Sequence, residues 1–544
     1  PMTIRWCSLT GRSPGECFVS RQSTLAKILW VLMNRISVVL ERDTGKGGMG
    51  ERQRVQIAGV SVSVDHYVGG TRISSPSTFE DRSPLDWSTV LADVSAGDAS
   101  TADAALTAAE DAFEGWAALG PSGRAPYLRR LADLIDERVP DIAAVECVDM
   151  AMRHESLRNR VIGRGARNFR AYAELAEQHV DRTWASNGTA NRVQRLPAGP
   201  AVVITPWNAP FMLATWKLAP ALAAGNPVVL KPAEWSPLSA SLLADLADEA
   251  GLPPGVFNLV QGIGTEVGPL LTSDQRVRRL SFTGSPETAR HIGVAAASNI
   301  VPFTAELGGK GALVVFADSD LEVAARTAAD QYDDSGQVCL AGTRLLVEAS
   351  VADDFLVRFH AHVDAHVLGD SHDDATTITP MIHPEHVARV EGFIERARQA
   401  GDEVLRGGSR HVPESWTGPP GEALWFAPTL VAPASNDSEI VQSEVFGPVL
   451  TFQVFTDEDE AVALANSTAY GLSATLFTGS TERAERVGGA LRAGTTWVNC
   501  FLVRDLTAPF GGLGISGLGR EGGDHALEFH ADLKTLQVKD GTTV

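Results

Sequence analysis

Cysteine, positive charge and long apolar runs are all scarce in this sequence of 544 residues. The five cysteines are scattered and include no Cys-x-x-Cys pair, which excludes a disulfide scaffold and a cysteine-rich zinc site. Lys and Arg total 46 against 67 for Asp and Glu, so the net charge is −21, and a surface this acidic repels nucleic-acid phosphates. We therefore expect a protein of the reducing cytoplasm that binds neither nucleic acid nor a structural metal.

No apolar run is long enough to cross a membrane. The most apolar early stretch, residues 28–33, falls far short of the roughly 20 residues that a spanning helix needs, and no small-residue cleavage site follows it. We therefore expect neither a membrane span nor a signal peptide. Residues 1–50 show no clear hydrophobic period and end in a glycine-rich run, so we interpret them as an N-terminal extension, disordered or non-native, in preference to an amphipathic anchor.

Hydrophobic residues make up 44% of the chain, as in ordinary globular proteins, and its length indicates two or more lobes. Between residues 200 and 306, short apolar runs alternate with helical patterns, which indicates βαβ units on a parallel sheet. The runs are 201–204, 227–230, 256–260 and 279–282. This pattern is typical of a nucleotide-binding α/β lobe, although a parallel-sheet enzyme that binds no nucleotide fits it too.

The alternation restarts at residue 311 and indicates a second α/β lobe. Residues 179–196 and 529–539 predict an exposed hairpin and a late strand. Edge strands of this kind usually need a partner strand, which can come from another subunit. Upstream, residues 100–119 predict a helix with Ser100 as its N-cap.

Two residues could carry covalent chemistry. Cys339 falls between a helix and a strand and is flanked by small residues that leave room for a substrate, so it is a candidate nucleophile. A buried, inert cysteine is the alternative. Glu306 stands at a strand end before two glycines and could serve as a general base, although a solvated strand-end charge fits the same pattern.

Polar residues follow three of the predicted strands, where open α/β sheets bind ligands. In the loop after residue 204, Asn208 offers an amide N–H to a developing oxyanion, or else satisfies turn backbone. Lys231 and Glu234 follow the next strand and suit ribose hydroxyls, and the acid should repel a 2′-phosphate and so favour NAD over NADP. Ser285, at a strand-to-helix junction, would hold a pyrophosphate at the helix N-terminus.

These signals, in this order, resemble the aldehyde dehydrogenase superfamily. The resemblance covers about residues 68–538 and includes the motifs at 444–448, 466–472 and 509–512. It implies an α/β fold with two open parallel-sheet lobes, a Rossmann-type cofactor lobe and a catalytic lobe, and a small β oligomerisation flap. The implied division is an NAD-binding domain at 66–180 and 198–306, a catalytic domain at 307–523, and a flap at 181–197 and 524–544.

The resemblance also implies residue roles in the NAD-dependent oxidation of an aldehyde to an acid. Cys339 would form a thiohemiacetal, Asn208 and the Cys339 backbone amide would hold the oxyanion, and Glu306 would activate water to hydrolyse the thioester. The intact Glu306 argues against the CoA-acylating relatives, in which a thiol takes the acyl group. The implied cofactor contacts are Thr205, Pro206, Trp207, Lys231, Glu234, Gly264, Gly284, Ser285, Glu444 and Phe446.

Within the superfamily, residues 497–506 and 519–523 resemble the branch that oxidises 2-hydroxymuconate or 2-aminomuconate semialdehyde in aromatic ring-cleavage pathways. Residues 163–170 are similar to that branch's Pro-Arg-Ala-x-x-Asn-Phe segment, with Gly163 in place of its proline. Arg164 and Arg504 would then clamp the carboxylate of an anionic aldehyde by bidentate bonds. Pairing of these arginines with structural acids such as Asp505 is the alternative.

Three hypotheses of function therefore remain open. The first is a homodimeric or homotetrameric semialdehyde dehydrogenase, and the second is an aldehyde dehydrogenase for uncharged aromatic or aliphatic aldehydes. The third is a non-catalytic relative of the same fold, which the retention of Cys339, Glu306 and Asn208 disfavours.

Overall fold

The computed structural model describes residues 54–414 and 416–539, and the expected extension at 1–50 lies outside them. The first part of the described chain contains three β-hairpins. Their strands are β1 (Arg54–Ile57), β2 (Val60–Ser63), β3 (His66–Val68), β4 (Thr71–Ile73), β5 (Thr78–Arg82) and β6 (Val90–Ser95). A helical layer follows. It consists of α1 (Ala99–Ala118), α2 (Gly120–Glu137), α3 (Val139–Met150), α4 (His154–Ser156), a π-helical turn (Leu157–Val161) and α5 (Ile162–Gln178).

The cap of α1 differs from the prediction. Asp98, and not Ser100, is the N-cap, because the Asp98 carboxylate accepts a hydrogen bond of 2.9 Å from the backbone N–H of Thr101. The Ser100 hydroxyl instead donates to the same carboxylate at 2.7 Å. Ser100 therefore supports the cap from inside the first turn of the helix.

The middle of the chain confirms the predicted alternation of strands and helices. After the hairpin of β7 (Arg182–Ser186) and β8 (Thr189–Pro197), four βα units lead to a fifth strand. They comprise β9 (Ala201–Ile204), α6 (Pro210–Ala224), β10 (Val228–Lys231), α7 (Leu238–Glu249), β11 (Phe257–Leu259), α8 (Gly264–Thr272), β12 (Arg279–Gly284), α9 (Pro286–Asn299) and β13 (Phe303–Leu307).

The rest of the described chain builds the second lobe and a final strand. Its first half contains β14 (Ala312–Val315), α10 (Leu321–Ala329), a 3₁₀ segment (Asp330–Gly336), β15 (Arg344–Glu348), α11 (Ala352–Asp364), α12 (Pro384–Gln399), β16 (Glu403–Arg406), β17 (Arg410–His411) and β18 (Trp425–Phe426). Its second half contains β19 (Thr429–Ala432), α13 (Glu439–Gln442), β20 (Val449–Phe455), α14 (Glu458–Ala465), β21 (Ser473–Phe477), α15 (Thr481–Ala490), β22 (Thr495–Val498), β23 (Gly517–Leu518), α16 (Gly523–Phe529) and β24 (Ala531–Lys539).

Two large sheets form the framework. The first has the order β23-β13-β12-β9-β10-β11-β3-β4, and its five strands from β13 to β11 are parallel. The second has the order β16-β19-β20-β15-β14-β21-β22, and only β16 is antiparallel to its neighbour. The central strands of the first sheet are buried on both faces, as the valine-rich runs at 201–203 and 228–230 require. The fold is the α/β fold with two open sheets that the sequence predicts.

The order of the first sheet sets the position of a ligand site. From β9 the chain proceeds outward in one direction through β10 and β11, and in the other through β12 and β13. The connections that leave the carboxyl ends on the two sides of β9 therefore run in opposite directions, and open sheets bind ligands in the crevice between them. The loops that leave β9, β12 and β13 begin at residues 205, 285 and 308, next to the candidate site residues.

Strand β24 returns to pair with β8 in a separate antiparallel sheet of order β24-β8-β7. The register runs from Ala531 opposite Pro197 to Lys539 opposite Thr189. We call these three strands the flap sheet. Among the described residues, the outer edges of β7 and β24 have no further strand partner. No helix in the described part of the chain is both long enough and apolar enough to cross a membrane.

Candidate active site

A cavity of about 570 Å³ opens at the carboxyl ends of the first sheet. The three predicted catalytic side chains, Cys339, Glu306 and Asn208, all line it. So do eight other predicted site residues, namely Arg164, Pro206, Trp207, Gly284, Ser285, Glu444, Phe446 and Arg504. Four further predicted cofactor residues, Thr205, Lys231, Glu234 and Gly264, are not part of its lining.

Cys339 follows a strained stretch of backbone. Asp334 and Ser335 adopt left-handed φ values of 51° and 56°. Such conformations cost about 1–3 kcal/mol per residue and persist only when the surroundings hold them. The buried Ser335 hydroxyl donates to the carbonyl of Thr379, which anchors the segment. At Gly336 a Cβ atom would overlap the Gly447 carbonyl oxygen, so only glycine fits there.

The thiol of Cys339 is protonated at rest. Burial raises its pKa to about 12, and the negative charges of Glu444 and Glu306 add to that effect while Arg504 opposes it. A thiol with so high a pKa is a weak nucleophile, so attack on a substrate requires a base to remove its proton. The neighbouring carboxyl of Glu306 is the candidate for that role.

Glu306 is itself a buried acid. Its side chain is 5% exposed, and neither carboxyl oxygen has a hydrogen-bond partner in the described residues. Burial raises the pKa of Glu306 well above its usual value, and the charge of Glu521 raises it further, while Lys217 lowers it. A carboxyl group in this state binds a proton more readily than an exposed glutamate does, and in its ionised form it can act as a general base.

The sequence analysis assigned no role to a buried ion pair near Glu306. The Lys217 ammonium contacts the Glu521 carboxylate and donates to the Ser281 hydroxyl at 3.0 Å, and both charged side chains are nearly fully buried. Glu521 lines the same cavity as Glu306. The signal available in the sequence was a lysine in the otherwise apolar stretch 211–224, since a buried lysine needs a partner.

Asn208 is positioned by a contact that the sequence did not predict. Its side-chain amide donates a hydrogen bond of 2.9 Å to the carbonyl of Gln337, two residues before Cys339. An asparagine amide has two N–H donors, and this bond uses one of them. The loop that carries the thiol and the proposed oxyanion donor are therefore joined directly.

Three predicted cofactor residues converge beside the cavity. Lys231 forms an ion pair of 2.9 Å with Glu234, whose other carboxylate oxygen accepts the N–H of Gly264 at 3.3 Å. Burial by itself would raise the pKa of Glu234, but the charge and hydrogen bond of Lys231 outweigh it and hold the pKa below its usual value. Glu234 is therefore ionised and can accept hydrogen bonds from hydroxyl groups.

The predicted phosphate and nicotinamide contacts lie on two further elements. The Ser285 hydroxyl caps α9 by accepting the N–H of Thr288 at 3.1 Å, so its oxygen is already engaged. Glu444 accepts the N–H of Gly309 at 2.8 Å, and burial raises its pKa to about 7. A Cβ atom at position 308 would overlap the Glu444 carboxylate, so any larger residue there would displace that side chain.

The sequence analysis identified Trp207 and Phe446 as cofactor contacts, but not the aromatic cluster that they form with His386 in the cavity lining. The ring of Trp207 makes edge contacts with those of Phe446, at 5.3 Å, and His386, at 5.4 Å. His386 also bonds to the Phe446 carbonyl at 2.7 Å. Thr205, next to this loop, is buried, and its hydroxyl has no partner in the described residues.

Arg164 and Arg504 converge on one ring. Their guanidinium carbons lie 5.5 and 5.6 Å from the centre of the Trp216 ring, and Arg504 also lies 3.6 Å from that of Phe510. Neither arginine forms an ion pair with a carboxylate among the described residues. Asp505, the alternative partner, instead accepts hydrogen bonds from Thr507.

Comparisons with known proteins identify the family of the chain. The profile of the aldehyde dehydrogenase family matches residues 72–536. A 2-hydroxymuconic semialdehyde dehydrogenase of Pseudomonas sp. (strain CF600) is 40% identical over 487 residues, which cover 88% of this chain and 99% of that protein. A 2-aminomuconic 6-semialdehyde dehydrogenase of Pseudomonas sp. is 39% identical over 484 residues, 87% of this chain and 97% of that protein.

Solved structures give the same result for the fold. HpcC from Thermus thermophilus is 40% identical with a TM-score of 0.85, covering 89% of this chain and 97% of that one. Betaine aldehyde dehydrogenase from Staphylococcus aureus in complex with NAD+ is 34% identical with a TM-score of 0.85, covering 89% of this chain and 96% of that one.

Proposed function

The chain belongs to the aldehyde dehydrogenase family, and we propose that it oxidises a carboxylate-bearing semialdehyde, such as 2-hydroxymuconate semialdehyde, to the dicarboxylic acid with NAD. It is an NAD-dependent oxidoreductase that acts on aldehydes. The observation that carries the substrate proposal is the pair Arg164 and Arg504. Both guanidinium groups line the cavity of Cys339, and neither has a carboxylate partner among the described residues.

In the proposed reaction, Glu306 accepts the Cys339 thiol proton, and the thiolate attacks the aldehyde carbon to form a C–S bond. The carbonyl oxygen becomes an oxyanion, which the remaining Asn208 N–H and the Cys339 backbone N–H stabilise. NAD supplies the hydride acceptor, and removal of the hydride converts the thiohemiacetal into a thioester. Glu306 releases the thiol proton to solvent and then takes a proton from water, and the resulting hydroxide adds to the thioester carbon. The C–S bond breaks to release the acid, and Glu306 returns its proton to the Cys339 thiolate.

The residues present fit NAD. An ionised Glu234, fixed by Lys231 and by the N–H of Gly264, has the charge and exposure to accept the hydroxyl groups of a ribose. Its negative charge disfavours a 2′-phosphate, which supports NAD over NADP. Glu444 and Phe446 line the same cavity as Cys339 and would contact the nicotinamide end.

The charge of the substrate distinguishes the proposed semialdehyde from the alternative aldehydes. The named substrates of the two Pseudomonas relatives carry a carboxylate far from the aldehyde, which two guanidinium groups can bind by paired hydrogen bonds. Other relatives, 39% and 37% identical, are betaine aldehyde dehydrogenases. The cation of a betaine aldehyde would be repelled by Arg164 and Arg504, which disfavours that substrate here.

The deciding experiment measures NADH formation by purified protein with a panel of aldehydes, each with or without a distal carboxylate. We expect the highest kcat/KM with a carboxylate-bearing semialdehyde, and no turnover by Cys339→Ala. Arg504→Ala should lower kcat/KM for that substrate by about 100-fold, as loss of one partner of a buried charged hydrogen bond does. Equal kcat/KM for charged and uncharged aldehydes would refute the substrate assignment, and equal use of NADP would refute the role of Glu234.

We also propose that the flap sheet contacts a second copy of the chain in a homodimer or homotetramer. Its outer edges are open within the described chain, and the side chains of Trp184 and Leu533 are 40% and 54% exposed on it. The proposed domain division is an NAD-binding domain at 66–180 and 198–306, a catalytic domain at 307–523 and a flap at 181–197 and 524–544.

The free cysteines Cys147, Cys339 and Cys500 support a reducing, cytoplasmic location.

A further inference from the structure

Three arginines share one face of the helical segment beside the cavity. Arg160 lies in the π-helical turn, and Arg164 and Arg167 follow in α5, at spacings of four and three residues that place side chains on the same face. All three line the cavity of Cys339. Arg164 is half-buried and stacks on Trp216, whereas Arg160 and Arg167 are exposed. The two exposed arginines, Arg160 and Arg167, therefore flank the half-buried Arg164 on this face.

The first arginine of this row is held by local structure. The N–H of Ile162 donates to the carbonyl of Leu157, five residues earlier, which is the hydrogen-bond pattern of a π turn. Within that turn, the guanidinium of Arg160 donates to the Ser156 hydroxyl at 2.9 Å. π turns are rare in proteins, and those that occur are often found at functional sites. This turn is therefore consistent with a functional role for the segment.

These three arginines differ from their neighbours on the same segment. Arg153 pairs with Asp333 at 3.6 Å, and Arg170 pairs with Asp133 and Asp136 at 2.7 and 2.6 Å. By contrast, no carboxylate of the described chain forms an ion pair with Arg160, Arg164 or Arg167.

The charge of Arg164 is also electrostatically unfavourable in the protein alone. Burial lowers the pKa of Arg164 to about 10, and the positive charges of Arg504 and Arg167 lower it further. Positive charges that repel one another, in a chain of net charge −21 where acidic partners are plentiful, favour the binding of an external anion.

We propose that Arg160 and Arg167 are specificity-determining residues that form an arginine collar at the cavity mouth and draw anionic aldehydes toward Arg164 and Arg504. This inference rests on the function proposed above. The collar residues touch no reacting atom. They raise the local concentration and association rate of an anion, an effect that dissolved salt screens.

The test compares wild type with the double variant Arg160→Ala/Arg167→Ala at low and high ionic strength. For a carboxylate-bearing semialdehyde at low salt, we expect kcat/KM to fall about threefold to tenfold while kcat stays unchanged, since steering acts on association. At about 0.5 M salt the difference from wild type should disappear, because the screening length is then only a few ångströms. For an uncharged aldehyde the double variant should match wild type at both salt concentrations.

Matched variants separate charge from structure. Arg158→Ala removes a positive charge from the same turn, but Arg158 is exposed and outside the cavity lining, so its kcat/KM should stay at the wild-type value. Arg160→Lys/Arg167→Lys keeps the charge and should retain most of the low-salt preference. Arg160→Glu/Arg167→Glu should lower kcat/KM more than the alanine pair does.

The outcomes distinguish the two proposals. If wild type shows no preference for carboxylate-bearing aldehydes at any salt concentration, the proposed function fails and the collar fails with it. If wild type prefers them but the alanine pair keeps its full low-salt kcat/KM, the collar alone is wrong. A loss that is equal for uncharged aldehydes, or that persists at high salt, also overturns the collar.

Discussion

At the scale of single residues, the proposed chemistry depends on Glu306, a buried acid whose pKa is raised. Glu306 has a raised pKa because it is buried and lies near the negative charge of Glu521, which forms an ion pair with Lys217. A general base works in its ionised form, so the activity should rise with pH until Glu306 is ionised. The charge at position 521 therefore tunes the pH at which the base becomes active.

Replacing Glu521 tests this relation. In Glu521→Gln the negative charge opposite Glu306 is lost and the Lys217 charge remains, so the pKa of Glu306 falls and the acid limb of the kcat–pH profile moves to lower pH. Steady-state NADH formation between pH 5 and 9 measures the shift. Glu528→Gln removes an exposed charge and should leave the limb in place. An unmoved limb in Glu521→Gln would show that Glu521 does not control the base.

The sequence predicted the residues that line the cavity better than it predicted the contacts that hold those residues in place. Cys339, Glu306 and Asn208 were identified because each stands in a recognisable local motif at or just after the end of a strand or helix. The bond from Asn208 to Gln337 and the pair of Lys217 with Glu521 join residues 129 and 304 positions apart. No local pattern encodes such contacts, because the packing of distant segments creates them.

At the scale of helices and strands, local signals were sufficient where burial was strong. The valine-rich runs of β9 and β10 predict buried parallel strands, and the structure has them. The hairpin strands from β1 to β6 are short and partly exposed, so they carry little periodic signal. The π turn before α5 is defined by its backbone hydrogen bond, which residue types alone do not specify. The cap of α1 was misplaced because two polar residues, Asp98 and Ser100, lie within one position of the helix start and either could have served.

The cap can be tested directly. Asp98→Ala removes the acceptor for the first turn of α1 and should cost about 1 kcal/mol of local stability, whereas Ser100→Ala removes only a supporting bond and should cost less. Hydrogen bonds from Ser100 and Thr101 lower the pKa of Asp98 from 3.8 to about 2. The stabilisation is therefore present above about pH 4 and lost as pH falls through about 2. Hydrogen exchange of the α1 amides measures both effects, and equal exchange rates in the two variants would contradict the assignment.

At the scale of the whole molecule, three sheets have separate roles. The first supplies the carboxyl-end crevice, the second carries the loop of Cys339, and the flap sheet lies apart from both. The sequence predicted this division from the restart of the strand pattern at residue 311. It did not reveal that β23, inside the segment expected to belong to the catalytic lobe, joins the first sheet beside β13.

The flap sheet makes a prediction about assembly. Leu533→Asp places a charge on its exposed face and should shift the protein toward monomer, the species of 57.8 kDa. Leu270→Asp, on an exposed face of α8 with 39% exposure, is the matched control and should leave the mass unchanged. Light scattering after size-exclusion chromatography measures the mass. A wild-type protein that is already monomeric would contradict the assembly proposal.

The pairing of β13 with β23 also bears on how the protein is made. Glu306 lies opposite Gly517 in that pair, and Glu521 follows shortly after. Because a chain grows from its N-terminus, Glu306, Lys217 and Cys339 all leave the ribosome before the strand and the acid that complete their surroundings. A nascent chain can thus form most of both sheets while Lys217 still lacks its counter-charge. The competence to turn over aldehydes therefore arises late, after residues 517–521 have been synthesised and docked against the first sheet.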